Sequence, residues 1–348
     1  MSTFKSLSTA NLPDPTISPA DNASPKDYFN TVLYTGNGTA RSITGVGFAT
    51  DWVWIKSRNH AHNPEVFDIV RGTQKSLMPS QTNAEVTRGV TSFDSDGFSL
   101  DTSVYTNQNG RTFVAWNWKA GGTGVSNTDG NVTSTVSANT TSGFSVVNWT
   151  GDESVSDQIG HGLSQKPDLI IARRKDGTHP WVVWGESIGT ASNSKLVLNT
   201  TAAIGTTGSI GASTNTYFAY DVGGGELWLA YCFHSVEGFS KFGSYTGNGS
   251  ADGPFVYTGF RPAFVITKCS SGSSNWNLLD SKRNTFNDAD LHLLPNSSAS
   301  EATTTTNNLD LLSNGFKPRG AGGNTNTSGE TYIFIAFAEQ PFKFSNAR

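Results

Sequence analysis

The chain has 348 residues, of which only 15% are charged: 24 Lys and Arg against 28 Asp and Glu, a formal net charge of −4. This excludes broad electrostatic capture of nucleic acid and a charge-driven disordered chain. No apolar run reaches the roughly 18 residues that a membrane-spanning helix needs, so neither a nucleic-acid partner nor membrane insertion is expected. The aromatic share of 11%, with nine Trp and 21 Phe, supplies cores, since each buried ring removes roughly 150–250 Å² from water. Residues 1–30 hold no apolar segment of the secretory kind. Two cysteines, Cys232 and Cys269, are read as free thiols or at most one disulfide, consistent with synthesis in a reducing compartment.

Residues 1–27 carry Pro13, Pro15, Pro19 and Pro25 in a polar setting. Proline fixes its own φ and biases the residue before it. The spacing predicts an extended arm that docks on a neighbour.

From residue 28 onward the chain repeats itself. An aromatic–Thr–Gly–Asx string occurs as Tyr34-Thr35-Gly36-Asn37, Trp149-Thr150-Gly151-Asp152 and Tyr245-Thr246-Gly247-Asn248. Each copy then has Gly and an apolar residue (Gly47-Phe48, Gly162-Leu163, Gly259-Phe260), followed by a strand-like segment: Trp52 to Lys56, Leu169 to Arg173, Phe264 to Lys268. Each copy closes on aromatic–aliphatic–Ala–aromatic: Phe113 to Trp116, Trp228 to Tyr231, Phe334 to Phe337. Such order sets three units, 28–142, 143–238 and 239–348, each of domain size. Short segments rich in Val, Ile, Phe, Tyr and Trp, separated by Gly/Asn turns, predict strands. Trp52 and Trp54 point to one face and Val53 and Ile55 to the other, so that strand is sheltered on both. The predicted fold is all-β: three tandem jelly-roll or concanavalin-like sandwiches behind the arm, each able to bury its own core.

The strings YFNTVLYTGNG, GFSKFGSYTGNG, FVAWNWKAGG and FKFSNAR resemble a family of tailed-phage proteins abundant in marine phages. That family is known mainly as a domain of unknown function, and its members are often labelled tail fibre or minor structural protein. The resemblance covers 28–348. It implies location in the virion after synthesis in the host cytoplasm, and brings no catalytic or binding residues with it.

HExxH, CxxC, GxSxG, P-loop and dinucleotide fingerprints are absent. His60-Ala-His62 is a chelating pair without enough neighbouring ligands, and Asp94-Ser95-Asp96-Gly97 lacks the Glu that closes a calcium loop, leaving a tight turn. No metal, cofactor or catalytic residue is assigned. Asp152, Glu153 and Asp157 are the carboxylates that a polysaccharide-cleaving alternative would use. Asp68 with Arg71, and Asp280 with Arg283, recur at one spacing and are expected to fix a turn by charge-assisted hydrogen bonds; the second unit has Gly185-Glu186 there. Function is expected where the units differ: 59–64, 121–141, 173–179, 270–274 and 320–329. Trp118 and Trp181 are candidates for stacking on a sugar, with a core role as the competing reading. Arg173 and Arg174, in Arg173-Arg174-Lys175, are candidates for an anionic ligand, against a solvated strand end. The expected function is a tail-associated virion protein contacting host glycan or protein, attached to other virion proteins through residues 1–27 and associating as a homo-oligomer such as a trimer. Capsid decoration and a depolymerase are the alternatives.

Overall fold

The computed structural model describes residues 12–18, 21–152, 157–189, 194–206 and 210–345. The fold is all-β, with 43% strand and 3% helix in several antiparallel sheets. One strand order recurs three times. In the first repeat a four-stranded sheet runs Phe29–Thr35, Thr112–Trp118, Trp52–Ser57, Glu65–Asp68. The second has Phe144–Thr150, Leu227–Phe233, Leu169–Arg174, Val182–Gly185 in the same order, and the third Ser240–Thr246, Thr331–Pro341, Phe260–Cys269, Asn277–Asp280. The opening strand of each repeat thus pairs with its closing strand. A three-stranded sheet faces each of these, the first built from Arg41–Thr44, Gly97–Leu100 and Val90–Asp94.

The repeated Thr–Gly step has a packing cause. Gly36, Gly151 and Gly247 each lie against the backbone of the loop that enters the closing strand, where a Cβ would overlap a carbonyl of Gln108, Gly223 or Thr327. Their N–H groups donate to Arg111, Glu226 and Glu330, at 2.8, 2.9 and 2.9 Å. The motif is therefore a clasp between the two ends of each repeat.

Each repeat has its own small core, exemplified by Val53, Ile55, Phe98 and Phe113 in the first, with counterparts in the second and third. A further cluster is shared by all three, a difference from the expectation of self-sufficient units. It takes Trp52, Trp54, Trp116 and Trp118 from the first repeat, Phe144, Tyr231 and Phe233 from the second, and Phe264 and Phe337 from the third. Ring contacts cross every boundary: Trp52 to Tyr231 at 4.4 Å, Phe29 to Phe337 at 5.2 Å, Phe233 to Phe337 at 5.9 Å. The two-sided apolar strand is explained: Trp52 and Trp54 enter the shared core, and Val53 and Ile55 enter the repeat's own.

The repeats close into a ring through contacts at equivalent positions. Glu85 N–H donates to the Lys175 carbonyl, Ile204 to Ser270 and Glu301 to Arg58, joining first to second, second to third and third to first. A buried cation sits beside each junction. Arg173 donates to the Thr82 and Asn83 carbonyls, Lys268 to Thr201 and Lys56 to Ser298. A threefold arrangement, expected between copies, is thus built inside one chain.

Two expectations about chain organisation change. Residues 125–139 were placed at the end of the first unit, yet strands Val125–Asn127 and Ser134–Asn139 extend the second repeat's sheet beside Phe144–Thr150. The arm, in its described part, lies on its own chain: Ile17 is fully buried in the shared core, Pro15 packs on Gly238 and Asp14 pairs with Lys343 at 2.9 Å. Residues 1–11 lie outside the described residues.

Candidate functional site

A polar groove lies where the first and second repeats meet. Its floor is a buried network. Asp68 accepts from Arg71 Nε at 2.6 Å and from the Tyr231 hydroxyl at 2.9 Å, and Arg71 also pairs with Glu85 at 3.0 Å. Asp68 and the Arg71 side chain are excluded from water. Burial opposes the Arg71 charge, but Asp68, Tyr231 and Glu85 outweigh it and hold the guanidinium above its ordinary value. Burial, then Asp68, push the Tyr231 hydroxyl well above its usual range. The third-to-first junction repeats this set. Asp280 accepts from Arg283 at 2.6 Å and from Trp116 Nε1 at 3.0 Å, and Glu301 pairs with Arg283 and, through two bonds, with Arg58. Both recurrent Asp–Arg pairs expected from spacing are therefore present, and each also reaches across a junction.

Two features open the groove at the first-to-second junction alone. Arg58, which caps Glu301, is replaced at the equivalent position by Lys175, whose ammonium makes no ion pair or hydrogen bond among the described residues. Burial lowers its pKa from the ordinary lysine value, with Arg71 adding to the effect. The hairpin 125–139, found among the described residues only in the second repeat, then adds a wall. Gly124 lets it approach, because a Cβ there would press on Thr135 and Val70.

The result is a cavity of about 440 Å³ that includes Val70, Asn148, Lys175 and Leu227, continued by one of about 280 Å³ that adds Thr133, Thr135 and Thr150. Thr135 and Asn148 are cross-strand partners, as are Thr150 and Leu227, so period-two alternation puts these side chains on one face. The Asn148 carboxamide and the three threonine hydroxyls have no partner among the described residues, and Asn148 Oδ1 is buried. Leu227 is 40% exposed. Such a surface offers donors, acceptors and a small apolar patch on rigid strands.

Of the residues singled out by sequence, Trp118 is 2% exposed and Trp181 1%. Trp118 sits in the shared core, 4.2 Å from Trp52, and Trp181 donates to the Met78 carbonyl across the junction at 2.9 Å. Neither has a face open to a sugar. Arg173 is fully buried on neighbouring carbonyls, and Arg174 is held by Asp176 and Glu226. The basic cluster does reach the groove, but through Lys175, which sequence reasoning passed over. The signal was alternation: Lys175, two residues after Arg173 and just past the strand end, continues the face of Arg173. His60 and His62 stack at 4.3 Å, with His62 bonded to Gln108. Asp96 accepts from Gly45 and Gly47 in the hairpin turn before Phe98. Asp157 is buried, and Glu153 lies outside the described residues. Among the described residues no cluster of three or more His, Cys, Asp or Glu is placed to hold a metal.

A family model, a domain of unknown function designated DUF7483, matches residues 24–341, and the chain belongs to that family. The match runs through all three repeats as one unit and begins after most of the arm. No curated protein and no solved structure matches the chain.

Proposed function

We propose that the chain is a structural protein of a tailed-phage particle, tail-associated, that presents its ring of jelly-roll-like repeats to the host surface. The observation that carries the host-contact part is the groove of unpartnered hydroxyl, amide and ammonium groups, built by a hairpin that one repeat alone possesses. Placement on a virion rests on the resemblance of the motif strings to tailed-phage proteins. A net charge of −4 with few charged residues suits contact that does not depend on broad charge attraction. Within the arm, residues 12–18 are engaged by the chain's own third repeat and shared core; attachment to other virion proteins would then fall to residues 1–11. Many copies on one particle would multiply a weak single contact.

Antibody labelling of intact particles, imaged by electron microscopy, tests this reading. Label at the tail is expected. Label over the shell exterior would reassign the chain to capsid decoration, and particles without label would overturn the virion reading altogether.

A further inference from the structure

We propose that the groove between the first and second repeats binds a segment of neutral polysaccharide, with Asn148, Lys175 and the Thr133–Thr135–Thr150 face hydrogen-bonding its hydroxyls and Leu227 with Val70 covering a C–H face of a sugar ring. This rests on the host-contact reading and names its site and ligand class.

The class follows from the chemistry of the lining. The charges around the groove balance: Arg71, Lys75, Arg174 and Lys175 stand against Asp68, Glu85, Asp176 and Glu226, and all but Lys175 are engaged in ion pairs or, for Asp68, in the buried network. A polyanion would find one free ammonium there, too little for capture by counterion release. A hydroxyl-rich neutral chain finds groups matched to it, since threonine hydroxyls and a carboxamide both donate and accept. The lysine supplies donors only, toward ring or hydroxyl oxygens. The combined cavity lies within the size range of small-molecule sites, and Thr135, Asn148, Thr150 and Leu227 stand on paired strands.

The other two junctions provide internal controls. Where Asn148 stands, the first repeat has Leu33 and the third Ser244; where Lys175 stands they have Arg58 and Ser270. At the third-to-first junction Arg58 fills the equivalent space by its two bonds to Glu301. Lys175→Arg should therefore pair with Glu85 and close the groove without loss of stability. Asn148→Leu installs a residue the fold already accepts at that position.

The full chain is tested on a glycan microarray carrying neutral, N-acetylated and acidic oligosaccharides, with thermal unfolding recorded for each variant. Expected is binding to neutral features that persists at raised salt and falls about tenfold in both Lys175→Arg and Asn148→Leu, with melting temperatures no lower than that of the unaltered chain. Binding confined to acidic features, or no binding at all, overturns the ligand class. Binding equal in the variants overturns the groove as the site while leaving host contact standing. Retention of the full chain on host cells, measured in parallel, decides the host-contact reading by itself: retention without glycan binding refutes only the saccharide, and no retention refutes both.

Discussion

Two kinds of junction hold the ring together. Between first and second repeats, and between third and first, a buried carboxylate, guanidinium and second carboxylate meet a hydrogen-bonding aromatic: Asp68, Arg71, Glu85 with Tyr231, and Asp280, Arg283, Glu301 with Trp116. At the equivalent positions between second and third repeats stand Gly185, Ile188, Ile204 and Phe337. Ile188 and Phe337 are buried in the shared core, and Ile204 packs against it. All four positions are polar together or apolar together. The physical reason is that removing one member of a buried ion pair strands the other's charge, whereas replacing the whole set by apolar groups costs little. The difference teaches that each junction works as a set, and that the ring holds either solution at a given corner.

This comparison can be broken most directly at Asp68. Asp68→Ala leaves Arg71 and the Tyr231 hydroxyl short of their main acceptor, and a loss of about 3–5 kcal/mol is expected, read from the urea midpoint. A smaller effect is expected from more substitutions. The combination Asp68→Gly, Arg71→Ile, Glu85→Ile and Tyr231→Phe copies the second-to-third junction, and should lie within about 2 kcal/mol of the unaltered chain. If the fourfold variant is less stable than Asp68→Ala, the junctions are not interchangeable sets.

The buried cations sharpen the comparison through pH. Burial pulls Lys56 and Lys268 down to about 8, while Arg173, at the remaining junction, is pulled only to about 10. A folded-state lysine pKa below the unfolded value of about 10.4 means that from about pH 8 upward the unfolded chain binds more protons. Stability then rises with pH, by at most about 1.4 kcal/mol per pH unit for each lysine. Burial raises the Cys232 thiol pKa, which acts in the opposite sense above about pH 8.5, where an unfolded thiol ionises. The rise is therefore cleanest just above pH 8. Melting temperatures across this window should climb for the unaltered chain and flatten in Lys56→Met with Lys268→Met.

Much of this architecture was legible in the residues. The aromatic–Thr–Gly–Asx clasp and the closing strands mark three copies, because a backbone contact that excludes Cβ leaves a glycine in every copy. The two-sided apolarity of Trp52 to Ile55 signalled shelter on both faces. What the second shelter was did not follow, since loops and a neighbouring repeat leave the same pattern in a strand. Trp118 and Trp181 illustrate the limit: a buried tryptophan and a sugar-stacking one look alike until the opposing surface is known. The absence of the recurrent Asp–Arg pair from the second repeat was visible, but only the fold sets Gly185 against the third repeat, at the junction where Phe337 has no hydrogen to donate. The hairpin 125–139 precedes its repeat's opening motif, so the repeat pattern assigned it backward. Part of the groove, Thr133, Thr135 and Lys175, falls in two of the stretches where repeats differ, 121–141 and 173–179, yet its lysine was hidden beside two more conspicuous arginines.

The central claim is that a core shared by all three repeats makes them one cooperative body. Differential scanning calorimetry of the full chain tests it most directly, by comparing the calorimetric and van't Hoff enthalpies. A single transition in which the two agree is predicted. Three separable transitions, or a calorimetric enthalpy several times the van't Hoff value, would show that each repeat stands alone and would contradict the account.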